Sequence, residues 1–175
     1  MDVGFDGVQA TDKLELLVVR LFEQHQTAVF AYLYRLVEER ELAHDLTQET
    51  FLRLFDTRER LPNIENQRAW IYRIATNLAL TALKRRRRFA WLPWRKEESG
   101  LVMTDSTEPV AQRLLIEQTL SQLSPTYRIP LLLYSRDGFS VREIANVLQI
   151  SEGAVKNRLY RARQAFRALF EEEVV

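Results

Sequence analysis

The chain has 175 residues, 46% of them hydrophobic, with a formal net charge of +1 and no cysteine. That length allows one domain or two small ones, and the missing cysteines exclude a disulfide framework and a thiolate metal site. No stretch approaches membrane-spanning length, and the acidic start Met1-Asp-Val-Gly-Phe-Asp6 is unlike a signal peptide, so a cytoplasmic protein without membrane insertion is expected.

The small net charge conceals an uneven distribution. From Arg68 to Lys96 there are nine Lys/Arg and no Asp/Glu; from Gly153 to Phe170 there are five and none. A polyanion responds to such local fields, not to the total. Strand signals are missing: no alternating apolar/polar runs, and no Asn-Gly or Asp-Gly pair between two of them. The expected fold class is all-α, with two small helical domains joined by a linker and a helix-turn-helix in the second.

Residues 1–12 are polar and acidic and are expected to be a flexible N-terminus. Helical spacing of Leu14, Leu17, Leu21, Val29, Leu33, Leu36 and Val37 predicts a helix from Lys13 to about Val37. Glu38 to Glu41 makes a charged turn, and a second helix runs from about Leu42 to Phe55. Its Asp45, Gln48, Glu49, Leu52 and Asp56 share one stripe; an acidic row interrupted by an exposed leucine suits a protein partner better than DNA. Asp56 to Asn66, with one proline and two asparagines, reads as a loop.

Asn66 is placed to cap a third helix, about Gln67 to Arg88. Its core stripe is Ile71, Ile74, Ala75, Leu78 and Ala82. Beside that stripe Trp70, Arg73, Asn77, Thr81, Lys84 and Arg88 fall in one band. An aromatic, an amide and several cations on one flank form a candidate nucleic-acid face, although cations near a helix C-terminus also complement its dipole. Pro93, Gly100 and a polar cluster mark a linker; Trp91 and Trp94 are unusual there and are expected either to pack back on a domain or to dock on a partner.

Beyond it, Gln112–Leu123 is a helix. Ser124-Pro125 caps and opens another, in which Pro130 should kink the chain or move the start; Gly138 is placed to end it. Ser140 and Glu143 form a capping box. Ile144, Ala145 and Leu148 face inward, with Ala145 small where helices would cross. Ile150 is a buried turn residue, and Ser151 caps the last helix. There Val155, Leu159, Ala162, Phe166 and Leu169 make the buried stripe. Asn157, Tyr160, Arg161 and Gln164 lie opposite, with Lys156 and Arg163 to one side. This is the layout of a helix-turn-helix whose last helix enters a major groove. Arg and Lys can pair with guanine edges and Asn with adenine; Arg158, nearer the buried flank, suits a phosphate or structural role.

Taken together, Ala43-His-Asp-Leu-Thr-Gln-Glu-Thr-Phe-Leu-Arg-Leu-Phe55, Ala69-Trp-Ile-Tyr-Arg-Ile-Ala-Thr-Asn77 and the C-terminal unit closely resemble an extracytoplasmic-function sigma factor of bacterial RNA polymerase. The resemblance covers nearly all of the chain past residue 13. It implies that residues 13–90 bind core polymerase and melt the minus-ten element, that 91–108 are a linker, and that 109–175 read the minus-thirty-five element. It implies core-polymerase contacts at Asp45, Gln48, Glu49 and Leu52, and minus-ten contacts at Asn63, Asn66, Trp70, Arg73, Asn77 and Lys84. Minus-thirty-five contacts are implied at Arg142, Lys156, Asn157, Arg158, Tyr160 and Arg161. The Asp56–Asn66 loop would capture a flipped base. Implied partners are core polymerase (beta-prime clamp and beta flap), promoter DNA and an anti-sigma factor. Gln67 departs from the family, which often has an aromatic there.

A stand-alone helix-turn-helix regulator is the alternative. It would need dimerisation to read two half-sites, and no long heptad seam is present. His44-Asp45 is similar to a phosphohydrolase metal dyad, but His25, the other histidine, has no carboxylate cluster around it. No catalytic residue, metal, cofactor or small-molecule substrate is therefore expected.

Overall fold

The computed structural model describes residues 5–88 and 110–174, and every regular element among them is helical. Trp91 and Trp94 lie outside the described residues. The helices are α1 (Phe5–Val37), α2 (Arg40–Asp56), a 3-10 helix (Arg58–Asn63), α3 (Gln67–Arg88), α4 (Val110–Gln122), α5 (Pro125–Ser135), α6 (Val141–Leu148) and α7 (Glu152–Val174). Helix α1 thus begins well before the Lys13 start that apolar spacing predicts.

Helices α1, α2 and α3 pack as one unit around Val29, Leu33, Leu36, Leu54, Ile71 and Ala75, all fully enclosed. Three threonines share this core. The Thr47, Thr50 and Thr76 hydroxyls donate to the carbonyls of Ala43, Leu46 and Tyr72 at 2.7, 2.7 and 2.6 Å. Each bond satisfies a polar atom that would otherwise cost about 1–3 kcal/mol to bury. Tyr32 reaches the same place: its hydroxyl lies 2.8 Å from Thr76 Oγ1 and its ring 5.1 Å from that of Tyr72.

Local chemistry sets the helix ends. Glu38, at φ 58, turns the chain out of α1, and its N–H donates to the Tyr34 carbonyl at 2.8 Å. The expected loop after α2 is mostly the 3-10 helix, with Pro62 inside it. Gln67 donates its Nε2 to the Leu61 carbonyl at 3.0 Å and ties that turn to α3. Asn66 caps α3 as expected: its Oδ1 accepts from the Ala69 N–H at 2.8 Å.

In the second half α4, α5 and α6 pack with α7 around Leu132, Leu133, Ile144, Val155 and Ala162. Helix α5 runs unbroken through Pro130. That proline lacks the donor for the Thr126 carbonyl, one bond near the helix start, and its ring is buried. Gly138 takes φ +67 just past the end of α5. The Ser140/Glu143 capping box forms on α6, and Ser151 accepts from the Ala154 N–H at 3.2 Å to open α7. Between α6 and α7 Gln149 occupies the left-handed region (φ 55). The two halves touch where α1 and α3 meet α4, α5 and α6.

Candidate nucleic-acid interface

One face is built on α3. Trp70 is half-buried, and the Arg73 guanidinium lies over its ring, 5.1 Å from the centroid. Asn77 and Lys84 follow along the same flank, both exposed. The end of α2 supplies the opposite wall, making a cleft of about 260 Å³ lined by Arg53, Asp56, Thr57, Trp70, Ile74 and Asn77. The Trp70 indole N–H is buried and has no hydrogen-bond partner. An aromatic face, a carboxylate, a hydroxyl, a guanidinium and an amide around one concavity can stack a planar base and hydrogen-bond its edge.

Two residues expected at this face lie elsewhere. Asn63 is exposed at the end of the 3-10 helix and does not line the cleft. Asn66 is also away from it: beyond its cap bond, its Nδ2 donates to Glu143 Oε1 at 2.8 Å, across to the other half. Sequence reasoning missed Arg53; it placed Asp56 and Thr57 only as the first residues of the base-capture loop, without singling either out, and Asp56 also in the acidic row. The signal for Arg53 was its position in the last turn of α2, just before the loop assigned to base capture. Thr57 is locked there by donating to the carbonyls of Arg53 and Leu54, at 3.0 and 3.1 Å.

On the outer side of α2, Asp45, Gln48 and Leu52 are exposed, and Leu52 retains 61% of its surface. Glu49 accepts from Arg53 Nε at 2.7 Å. That i,i+4 pair is worth only about 0.3–0.5 kcal/mol on an exposed helix, but it links the acidic row to the cleft wall. Among the described residues, no group of three or more His, Asp or Glu is arranged to hold a metal ion.

The second face is α7. Val155, Leu159 and Ala162 are buried, and Lys156, Asn157, Tyr160 and Arg161 are exposed together on the outer side. Arg158 is half-buried on the flank, as its register predicts. Tyr160 is 61% exposed, with its hydroxyl held at 2.8 Å by Gln164 Nε2. Arg163 instead lies over the Tyr134 ring at 5.1 Å, tied to its own half. Arg142 is exposed on α6, at the position of the helix that crosses a DNA backbone in this motif.

Comparison with known proteins matches both halves of the chain. Residues 21–89 match the family model described as Sigma-70 region 2, and residues 113–166 that described as Sigma-70, region 4. The chain is 31% identical to the ECF RNA polymerase sigma factor SigL of Mycobacterium tuberculosis over 160 residues, 89% of this chain and 90% of that one. It is 32% identical to the RNA polymerase sigma factor CarQ of Myxococcus xanthus over 154 residues, 87% and 88% of the two chains. Its fold is similar to that of the sigma factor RpoE in complex with the anti-sigma factor NepR from Bartonella quintana. There the TM-score is 0.72 at 20% identity, covering 87% of this chain and 95% of that one. It is also similar to CnrH in complex with the cytosolic domain of CnrY, with a TM-score of 0.67 at 24% identity and 94% of each chain covered.

Proposed function

Because the chain belongs to the extracytoplasmic-function sigma factors of RNA polymerase, we propose that it is a dissociable specificity subunit that does no covalent chemistry itself. It binds core polymerase, recognises the minus-thirty-five and minus-ten elements, and promotes melting of the promoter. Residues 13–90 carry the polymerase and minus-ten surfaces, and residues 109–175 carry the minus-thirty-five surface.

One observation carries this reading: a single chain holds two separate cationic faces of different design. The α7 face is a convex row of Lys156, Asn157, Tyr160 and Arg161 on a helix with a buried back, which suits intact duplex in a major groove. The α3 face is a cleft with an aromatic wall, which suits an unstacked base. Extracting a base costs a few kcal/mol, and stacking on an aromatic returns about 1–3 kcal/mol. Trp70 and Asn77 receive the base with Asp56 and Thr57, while Arg73 and Lys84 hold the backbone of the single strand. Asn63 and Asn66 approach the strand from the loop side. Asp45, Gln48, Glu49 and Leu52 form the contact with the beta-prime clamp, and the second half meets the beta flap. Arg142 and Arg158 hold phosphates. An anti-sigma factor is the expected regulator, and the complexes of the structurally similar RpoE and CnrH support that expectation.

Run-off transcription with bacterial core enzyme and a promoter library tests the proposal. Site-selective starts that require both the chain and core enzyme are expected. Tight binding to duplex without polymerase, together with no transcription, would instead support the stand-alone regulator.

A further inference from the structure

The side of α3 turned away from Trp70 and Asn77 is also occupied. There Tyr72 donates its hydroxyl to Asp137 Oδ1 at 2.7 Å, and its ring meets Phe139 edge-on at 4.8 Å. Arg68 donates to the backbone carbonyl of Asp137 while its guanidinium lies over the Phe139 ring, 4.1 Å from the centroid. One turn earlier, Asn66 Nδ2 donates to Glu143 Oε1 at 2.8 Å. All these second-half groups come from the short α5–α6 corner, residues 137–143.

A second contact sits at the end of α1. Arg128, only 7% exposed, donates to the Arg35 carbonyl at 3.2 Å and pairs with Glu38. Arg35 in turn pairs with Glu117 of α4 at 3.3 Å. A cation is well placed against the carbonyl end of a helix. In an undocked chain Arg128 and Asp137 would be solvated by water; docked, their bonds cross between the halves. Buried charges tolerate only partners of matching geometry, so this contact has one register. Burial raises the Asp137 carboxyl above its ordinary range in spite of the Tyr72 bond and the Arg35, Arg68 and Arg136 charges. The carboxylate is therefore a group that would gain from returning to water.

We propose that the α5–α6 corner is an intramolecular latch that docks on the back of α3 and the end of α1, and that this closed state competes with promoter engagement through Asn66. The competition rests on the minus-ten role proposed above for Asn66, whose half-buried side chain is held between its α3 cap and Glu143 of the other half while the corner is docked, turned away from any strand. The latch rests on the interface alone. Residues 89–109 join the halves, and a chain of that length reaches at most about 70 Å when extended, enough to let them separate without being cut loose.

The native chain has no cysteine, so Thr27→Cys and Asn146→Cys, both at exposed sites, accept a donor and acceptor dye cleanly. High energy transfer is expected in the free full-length chain. Tyr72→Phe and Arg128→Met should each lower it, the closed-to-open ratio falling about fivefold per hydrogen bond lost. The same two variants should bind a single-stranded oligonucleotide carrying the minus-ten element selected by run-off transcription more tightly. Transfer equal in the parent and both variants would overturn the latch. A fall in transfer with no gain in oligonucleotide affinity would overturn the competition. Asn66→Asp separates the two parts, because aspartate keeps the α3 cap, removes the donor and faces Glu143 with a second carboxylate. Opening without a gain in affinity supports both parts; opening with a gain overturns the DNA role of Asn66 and leaves the latch supported.

Discussion

Glu143 is where cap and interface meet, and its removal has a calculable cost. Its Oε2 accepts from the Ser140 N–H at 2.8 Å and the Ser140 hydroxyl at 2.7 Å, while its Oε1 accepts from Asn66 at 2.8 Å. Glu143→Ala loses the reciprocal half of the capping box and the Asn66 bond, about 1 kcal/mol each. At about 2–4 °C per kcal/mol for a chain of this size, melting should fall by about 4–8 °C. Glu143→Gln keeps one acceptor for Ser140 but turns an amide N–H₂ toward the Asn66 donor, so about half of the loss remains. The carboxyl is held below its ordinary 4.5, first by the Ser140 N–H, then by the Ser140 hydroxyl, with Asn66 and Arg68 adding to this against some desolvation. A depressed carboxyl contributes stability that is fully present above its unfolded pKa and is lost as pH falls through the folded value. The gap between parent and Glu143→Gln should therefore be constant at neutral pH and close below about pH 4.5. Calorimetric or circular-dichroism melts at several pH values measure it. An undiminished gap at the acid end would refute the electrostatic part, and a Glu143→Ala variant melting like the parent would refute the structural part.

Four further outcomes follow from the faces and the interface. Lys156→Ala or Arg161→Ala should each weaken minus-thirty-five binding by about 1–3 kcal/mol, read as promoter affinity of the holoenzyme, with core-polymerase affinity unchanged. Asp45→Ala combined with Gln48→Ala should weaken core binding, measured by competition with another sigma factor; unchanged affinity would remove the clamp assignment. Asn77→Ala should slow promoter opening, followed by permanganate reactivity of unpaired thymines, more than it weakens the closed complex. Asp137→Asn keeps an acceptor for Tyr72 and discards a buried charge. Because a raised carboxyl opposes docking above its folded pKa and ceases to as pH falls through it, the asparagine variant should dock at least as firmly as the parent at neutral pH. Hydrogen exchange of the Phe139 amide measures this.

Much of the molecule was legible because one apolar face per helix leaves a period in the chain. The Asn66 cap, the Ser140/Glu143 box, the α7 stripe and the Trp70–Lys84 flank all follow from local chemistry or 3.6-residue spacing. What escaped has no period. Tyr72 and Arg68 stand between a core stripe and a basic flank and look solvated in the sequence; only the fold brings Asp137 and Phe139 against them. Arg128 follows a capping proline and resembles a surface cation, yet it is buried on Glu38 at the end of another helix. The cleft was half visible: its α3 wall lies in one helical band, but Arg53, Asp56 and Thr57 reach it through the crossing of α2 and α3. Pro130 signals a kink or a shifted start under local rules, and α5 nevertheless starts at Pro125 and continues through it at the cost of one bond.

The chemistry of α3 shows why its back is polar. The helix has three duties around its circumference: Ile71, Ala75 and Leu78 enter the core, Trp70 and Asn77 face the cleft, and Arg68 and Tyr72 meet the second half. Had the third side been apolar, each leucine-sized contact would hold the halves together by about 1.5–3 kcal/mol. A few of those would make docking permanent. Hydrogen bonds exchanged with water return only about 1 kcal/mol each, and they demand register. With hydrogen bonds set around a single ring contact, Tyr72 on Phe139, the back of α3 therefore yields a contact specific enough to have one geometry and weaker than an apolar seam, so that a competing partner can displace it. It follows that replacing Tyr72, Arg68 and Asp137 together with apolar residues of similar volume would convert the latch into a fused interface. Such a chain should melt higher than the parent and, with both reading faces intact, fail to open promoters.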